Sequence, residues 1–390
     1  MSIAEEALKK HEKWQGKIEI ALRCPLDNKE DLSLAYTPGV AAPCLAIEKN
    51  PSLSFSLTRR GNTVAVVTDG SAVLGLGDIG PLAGMPVMEG KCALFKAFGG
   101  VDAIPLCVGS QDVDEIVRTI SLLSGSFGGI NLEDISAPRC FEIERKLQEV
   151  CDIPVFHDDQ HDTAIVVGAA LLGAATHTGR TLENTKCVIN GAGSAGLAIG
   201  QHLLDMGVKD LIICDRFGIL HEECQGINPA QKEMLPRLNP RAVKGTLANA
   251  LEGADVLIGV SVGNVVSQDM VRSMAKDAIV FPMANPTPEI APDQALEAGA
   301  WVVGTGRSDF PNQLNNVLAF PGVFRGALDC RASRITHRMK LAASYAIASL
   351  TKKEELRDDY IIVSPFDRRV AETVAAAVTK AAQEDGVARM

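Results

Sequence analysis

The sequence contains no Cys-x-x-Cys pair, although it has ten cysteines, from Cys24 to Cys330. Zinc and dithiol motifs of that spacing are therefore excluded. Several thiols lie in apolar runs, such as Cys107 in AIPLCV and Cys214 in LIICD. They read as reduced, buried side chains in a reducing compartment. Long runs of Lys or Arg are also missing, and the net charge is −10. That balance favours neither nucleic acid nor an anionic membrane as partner. The longest positive cluster, Arg331 to Lys340, fits one face of a helix. The longest apolar run, near Ala164 to Ala175, is interrupted by Gly168 and Gly173 and is too short to span a bilayer. The opening stretch, MSIAEEALKKHEKW, is charged and helical in pattern rather than a signal peptide. No internal repeat or low-complexity segment stands out. The expectation is a soluble, cytoplasmic protein.

What is present is a chain of 390 residues, 46% of them hydrophobic, enough for two domains or three. Short β-like runs alternate with helical patterns. NTVAVVTDG (62–70), VDAIPLCV (101–108), GGINLEDI (128–135) and CDIPVF (151–156) read as strands separated by helices. A second series follows: KCVIN (186–190), LIICD (211–215), ADVLIGV (254–260), DAIVFPMAN (277–285) and WVVGTG (301–306). After Pro321 the chain turns helical. This βαβ rhythm predicts an α/β fold with two parallel-sheet units and additional helices at both ends. The divisions expected are residues 1–160, 161–315 and 316–390.

G-x-G-x-x-G occurs twice, at Gly75-Leu-Gly77-Asp-Ile-Gly80 and at Gly191-Ala-Gly193-Ser194-Ala195-Gly196. The motif alone is weak, so context decides. The second copy follows a strand and opens an Ala/Leu-rich helix. The next strand ends in Asp215, 19 residues after Gly196. Each step matches a Rossmann dinucleotide turn, with the acid placed to accept from a ribose 2′-hydroxyl. Asp215 favours NAD; Arg216 beside it leaves NADP possible. The first copy is followed by Pro81 and Pro86, which should break any immediate helix, so it reads as a glycine-rich active-site loop.

The stretch PVFHDDQHDT (154–163) raises a sharper question. His157 and His161 are four apart, the spacing of a helical zinc pair. Pro154 and Phe156 mark a strand end, however, and the helix is expected only from Asp162 or Thr163. The two imidazoles then share no helical face, and Asp162 serves as a helix cap. A second acidic pair, Glu133-Asp134, ends the preceding strand. In a parallel sheet both pairs emerge at carboxyl ends, where open α/β folds bind ligands. Carboxylates converging there suit Mg²⁺ or Mn²⁺; solvated acidic turns are the other reading of the same spacing.

These residues carry a resemblance. The sequence resembles the malic enzymes of the short, bacterial type. The matching segments are YTPGV (36–40), LGLGDIG (74–80), GMPVMEGKCALFKAFGGVDA (84–103), NLEDI (131–135), FHDDQH (156–161), GAGSAG (191–196), ANPTPEI (284–290) and NNVLAFPGVFRGALD (315–329). They keep the family's order and span nearly the whole chain. The resemblance implies that Glu133, Asp134 and Asp159 are metal ligands, that Lys91 and Tyr36 are the catalytic lysine and tyrosine, and that Asp158 is the aspartate beside that lysine. It also implies that Asn285 and Asn315 or Asn316 hold the substrate carboxylates. Gly191, Gly193, Ser194, Ala195, Gly196, Asp215 and Asn285 would line the cofactor. Two departures stand out. The family usually has glycine where this chain has Asp162. Ala72-Val73 occupy the place of a substrate-binding arginine in the larger, animal-type enzymes.

The implied activity is oxidative decarboxylation of L-malate to pyruvate and CO₂ with reduction of NAD(P), in a homodimer. Oxaloacetate decarboxylation can accompany it. The chemistry suits the residues. A lysine base takes the hydroxyl proton as hydride leaves, a cation polarises the C2 oxygen, and a phenol protonates C3. A cation and burial would lower the Lys91 pKa while Asp158 raised it. Two rivals are a malolactic-type enzyme that yields lactate, and a cofactor-binding homologue impaired by Asp162.

Overall fold

The computed structural model describes residues 2–73, 75–224 and 226–390; Leu74, which begins the LGLGDIG run, lies outside them. Among the described residues the strands form two sheets. The first contains β1 (Thr63–Thr68), β2 (Asp102–Cys107), β3 (Gly129–Leu132) and β4 (Val155–His157), all parallel, in the order β2-β1-β3-β4. The second contains β5 (Lys186–Asn190), β6 (Asp210–Asp215), β7 (Gly218–Ile219), β8 (Val256–Gly259), β9 (Ala278–Pro282) and β10 (Ala300–Val303), in the order β10-β9-β8-β5-β6-β7. Only β7 is antiparallel to its neighbour.

Runs such as TVAVVT bury both faces, as parallel strands covered by helices must. Val64 and Val66 enter one core, and Ala65 and Val67 another. In each sheet the strand order reverses direction once. The reversal lies between β1 and β3 in the first sheet and between β5 and β8 in the second. Open α/β sheets bind ligands at the carboxyl ends of the strands beside such a reversal. Glu133-Asp134 follow β3, and the Gly191 turn follows β5.

The helix Asp158–Thr178 joins the two sheets and is buried along most of its length. Its glycines let neighbours approach. A Cβ on Gly168 would meet Met206 Sδ at 2.7 Å, and one on Gly173 would meet Ile361 O at 2.0 Å. Past the second sheet, the helix Phe320–Asp329 returns to the first. Phe320 and Phe324 pack on Phe95 of the helix Gly80–Gly99, with ring centroids 4.6 and 5.2 Å apart.

Three expectations need correction. Pro81 does not prevent a helix: Gly80–Gly99 is helical, with Pro81 in its first turn, where the missing N–H has no intrahelical partner to lose. Pro86 lies inside the same helix. The helix after β4 begins at Asp158, a turn earlier than expected, so Asp162 lies within it and does not cap it. The expected strand over 151–156 narrows to Val155–His157, because Cys151 caps the preceding helix.

Candidate active site

The acidic pairs meet. Glu133, Asp134 and Asp159 each place a carboxylate oxygen within 4.8 Å of the other two. The backbone fixes this corner. Asp134 adopts φ +53°, its N–H donates to Asp159 Oδ2 at 3.0 Å, and its carbonyl accepts from Ala72 N at 3.0 Å. Asn131, on the same face of β3, donates Nδ2–H to Glu133 Oε2 at 2.8 Å. Burial and then Asp158 push the Glu133 pKa well above the usual carboxylate range. Burial likewise raises Asp159. Concentrated negative charge of this kind is relieved by a cation, and an all-oxygen donor set suits a hard divalent ion.

Lys91 points into the corner from the helix Gly80–Gly99. Its Nζ lies 2.7 Å from Asp158 Oδ1, 3.1 Å from Glu133 Oε1 and 4.4 Å from the Phe320 ring centroid. Burial alone would lower its pKa. Asp158, Glu133 and Asp162 outweigh burial and hold it above the ordinary lysine value. Asp158 is buried too, yet Lys91 and a 2.8 Å hydrogen bond from Asn316 Nδ2 keep its pKa low. Asn316 Oδ1 accepts from Thr163 Oγ1 at 3.3 Å. Its amide therefore serves Asp158 directly. Asn315 Oδ1 caps a short turn through Val317 N at 3.0 Å.

His157 and His161 do not converge on a metal. Both His157 ring nitrogens are buried without a hydrogen-bond partner, whereas His161 Nε2 lies 2.8 Å from Glu144 Oε1. Asp162 is 0% exposed and, as a carboxylate, finds no donor for either oxygen. Burial and the neighbouring Asp158 push its pKa well above the ordinary value. In the protonated form it can donate to Asp158, one helical turn away.

The dinucleotide turn shows a distinct role for each glycine. A Cβ on Gly191 (φ +126°) would meet Val260 O at 2.5 Å, and one on Gly196 would meet Gly191 O at 1.7 Å. A Cβ on Gly193 would meet nothing within 4 Å. Gly193 is the exposed backbone of that turn, at the N-terminus of the helix Ser194–Asp205 that Ser194 and Ala195 begin. A tight turn, an open approach and a helix–strand contact are what a pyrophosphate cradle requires. At the end of β6, Asp215 Oδ1 accepts from Phe217 N at 2.7 Å. Arg216 lies over Phe217, 4.7 Å from the ring centroid. Asn285 is exposed and precedes a cis proline, and a Cβ on Gly75 would touch Pro286 at 3.4 Å. The first glycine loop thus borders the second sheet's ANPTP loop. Tyr36 ends a short helix and is 67% exposed, unlike the buried Lys91.

Two family descriptions match this chain: "Malic enzyme, N-terminal domain" over residues 15–148 and "Malic enzyme, NAD binding domain" over residues 161–383. The chain belongs to the malic enzyme family. It is 55% identical to the bifunctional malic/malolactic enzyme of Bacillus subtilis over 391 residues, covering 100% of this chain and 95% of that one. It is 49% identical to an NADP-dependent malic enzyme of Rhizobium meliloti, covering 99% of this chain and 53% of that one. The crystal structure of an NAD-dependent malic enzyme from Thermotoga maritima superposes with a TM-score of 0.92 at 48% identity, covering 96% and 98% of the two chains.

Within this malic enzyme framework, the motif residues are supported by groups that sequence reasoning missed. Asn131 could have been found from its i, i+2 relation to Glu133 on one strand face. Phe320 lies beside Lys91 across more than two hundred residues of chain, and no local pattern marks it. Arg139 Nη1 donates to buried Asp69 Oδ2 at 2.7 Å, and Asp69 Oδ1 accepts from Ser71 N at 3.0 Å. That pair braces the loop whose Ala72 N–H holds the Asp134 carbonyl.

Proposed function

We propose that this chain catalyses metal-dependent oxidative decarboxylation of L-malate to pyruvate and CO₂ with reduction of NAD or NADP. The observation that carries the reading is Lys91, hydrogen-bonded to Asp158 beside the Glu133–Asp134–Asp159 corner at the carboxyl end of β3. Glu133, Asp134 and Asp159 would hold Mg²⁺ or Mn²⁺. When bound, the cation supplies Lewis-acid polarisation of the substrate's C2 oxygen, and the nicotinamide accepts hydride. Lys91 takes the C2 hydroxyl proton. In the resting site its neighbours hold it as the ammonium. A cation held by Glu133 would remove one of the groups that raise the Lys91 pKa, while Asp158 keeps its hydrogen bond to the amine. Asp158 orients the amine, and Asn316 orients Asp158. Asn285, Asn315 and the second Asn316 Nδ2 hydrogen would hold the substrate carboxylates, as the family resemblance implies. Tyr36 delivers the proton to C3. The same site can decarboxylate oxaloacetate.

NAD is the preferred cofactor on this reading. One Asp215 oxygen is engaged by Phe217 N–H, and the other remains to accept from a ribose 2′-hydroxyl and repel a 2′-phosphate. Residues 1–160 form the catalytic unit, 161–315 the dinucleotide unit, and 316–390 helices that return to the first. The working form is a homodimer. Ile3, Leu8, Trp14, Ile20, Leu22 and Leu34 are exposed, and a second copy would cover an apolar surface of this kind. The compartment is the cytoplasm; all ten cysteines are free thiols, as a reducing environment keeps them. Among the described residues no helix is long and apolar enough to cross a membrane.

The Bacillus subtilis relative is named for malolactic activity as well, which favours lactate formation as a second reading. Product analysis separates the two. With L-malate, NAD and Mn²⁺, equal amounts of pyruvate and NADH support the first reading. Lactate without NADH supports the second.

A further inference from the structure

Behind the acidic corner lies a buried polar chain that the reaction does not use. Glu144, on the helix Arg139–Val150, is buried, and a buried carboxylate is costly unless its oxygens are hydrogen-bonded. Its Oε1 accepts from the His157 backbone N–H at 3.1 Å and lies 2.8 Å from His161 Nε2. On the far side of that ring, Lys340 Nζ, from the helix His337–Ser349, stands 3.3 Å from His161 Nδ1. Lysine only donates and an ionised carboxylate only accepts. The two partners therefore fix the ring as neutral imidazole with its proton on Nε2.

We propose that Glu144, oriented by His161 and Lys340, is a positioning residue for the divalent cation. This inference rests on the metal site proposed above. Residues 157 and 161 bracket Asp158 and Asp159 in the chain. One carboxylate fastened to both ends of that turn sets where Asp158 meets Lys91 and where Asp159 meets Glu133 and Asp134. Glu144 reaches the corner only through this turn, as outer partners of metal ligands do elsewhere. It also explains His161, whose spacing from His157 mimics a zinc pair. The ring is a strut between two helices.

The test is Mn²⁺ binding to the full chain, followed by the paramagnetic resonance of free Mn²⁺, with NAD affinity and the thermal midpoint measured alongside. Glu144→Ala is expected to weaken Mn²⁺ binding by about tenfold or more with NAD affinity unchanged. Glu144→Gln, which keeps an acceptor for the His157 N–H, is expected to recover most of that loss. If Glu144→Ala does not fold, His161→Phe takes its place, with Mn²⁺ weakened several-fold at unchanged NAD affinity as the supporting result. A folded Glu144→Ala, or in its place a folded His161→Phe, that binds Mn²⁺ as tightly as the parent overturns the inference. A parent chain that binds no Mn²⁺ overturns the metal site itself, and this inference with it.

Discussion

Replacing Asp162 by asparagine isolates the cost of a carboxyl group buried without a donor. The substitution keeps the side chain's shape and removes its titration. In the folded chain Asp162 is wholly buried, and burial and Asp158 raise its pKa well above its ordinary 3.8. Between those two values the folded form keeps a proton that the unfolded form has lost. Stability therefore falls as pH rises through that window, by about 1.4 kcal/mol per pH unit. Asparagine does not titrate, so the variant escapes the loss. Urea unfolding of parent and variant at about pH 5, 6 and 7 is expected to show Asp162→Asn more stable, with a margin that widens by up to about 3 kcal/mol over the two units. Asp162→Gly should show the same slope on a baseline lowered by a few tenths to about 1 kcal/mol, because glycine is a poor helix interior residue. A margin that does not change with pH, or a less stable asparagine variant, would refute the reasoning. With Lys91, Asp158 and the acidic corner intact, Asp162→Gly should also turn over L-malate no more slowly than the parent.

Gly193→Ala and Gly196→Ala should separate binding from folding. The first meets open space and should weaken NAD binding at an unchanged thermal midpoint. The second drives a methyl group to 1.7 Å from Gly191 O and should lower the midpoint itself. Lys91→Met removes the cation between two buried carboxylates. It is expected to cost about 3–5 kcal/mol of stability at neutral pH and to reduce kcat by about 10²–10⁴-fold, with NAD affinity preserved in binding titrations.

The legible parts of this protein are those that the backbone dictates locally. Gly191, Gly193 and Gly196 are set by a turn that excludes or exposes a Cβ, and Asp215 by the end of the next strand, so a single sequence carries both. Glu133-Asp134 and Asp158-Asp159 were legible as strand-end pairs because parallel sheets bring carboxyl ends together. The start of the helix at Asp158 was not. His157 has no capping side-chain hydrogen bond, and the polar residues after it resemble a loop, although Asp158, Gln160 and Asp162 are buried. Pro81 misled for a related reason: a proline in a first turn is compatible with helix. Asn316, Phe320 and Lys340 act across the fold, on groups far away in sequence. Only the packed chain shows what they touch.

The most direct test of the central claim is the absorbance of reduced nicotinamide with L-malate and NAD, with Mn²⁺ or with EDTA, for the parent chain and for Asp159→Asn. The account predicts a rise in absorbance with the parent and Mn²⁺, none with EDTA, and a strongly reduced rise for Asp159→Asn that more Mn²⁺ partly restores. Reduction that persists in EDTA, or that Asp159→Asn leaves unchanged, would contradict a reaction built on the Glu133–Asp134–Asp159 corner.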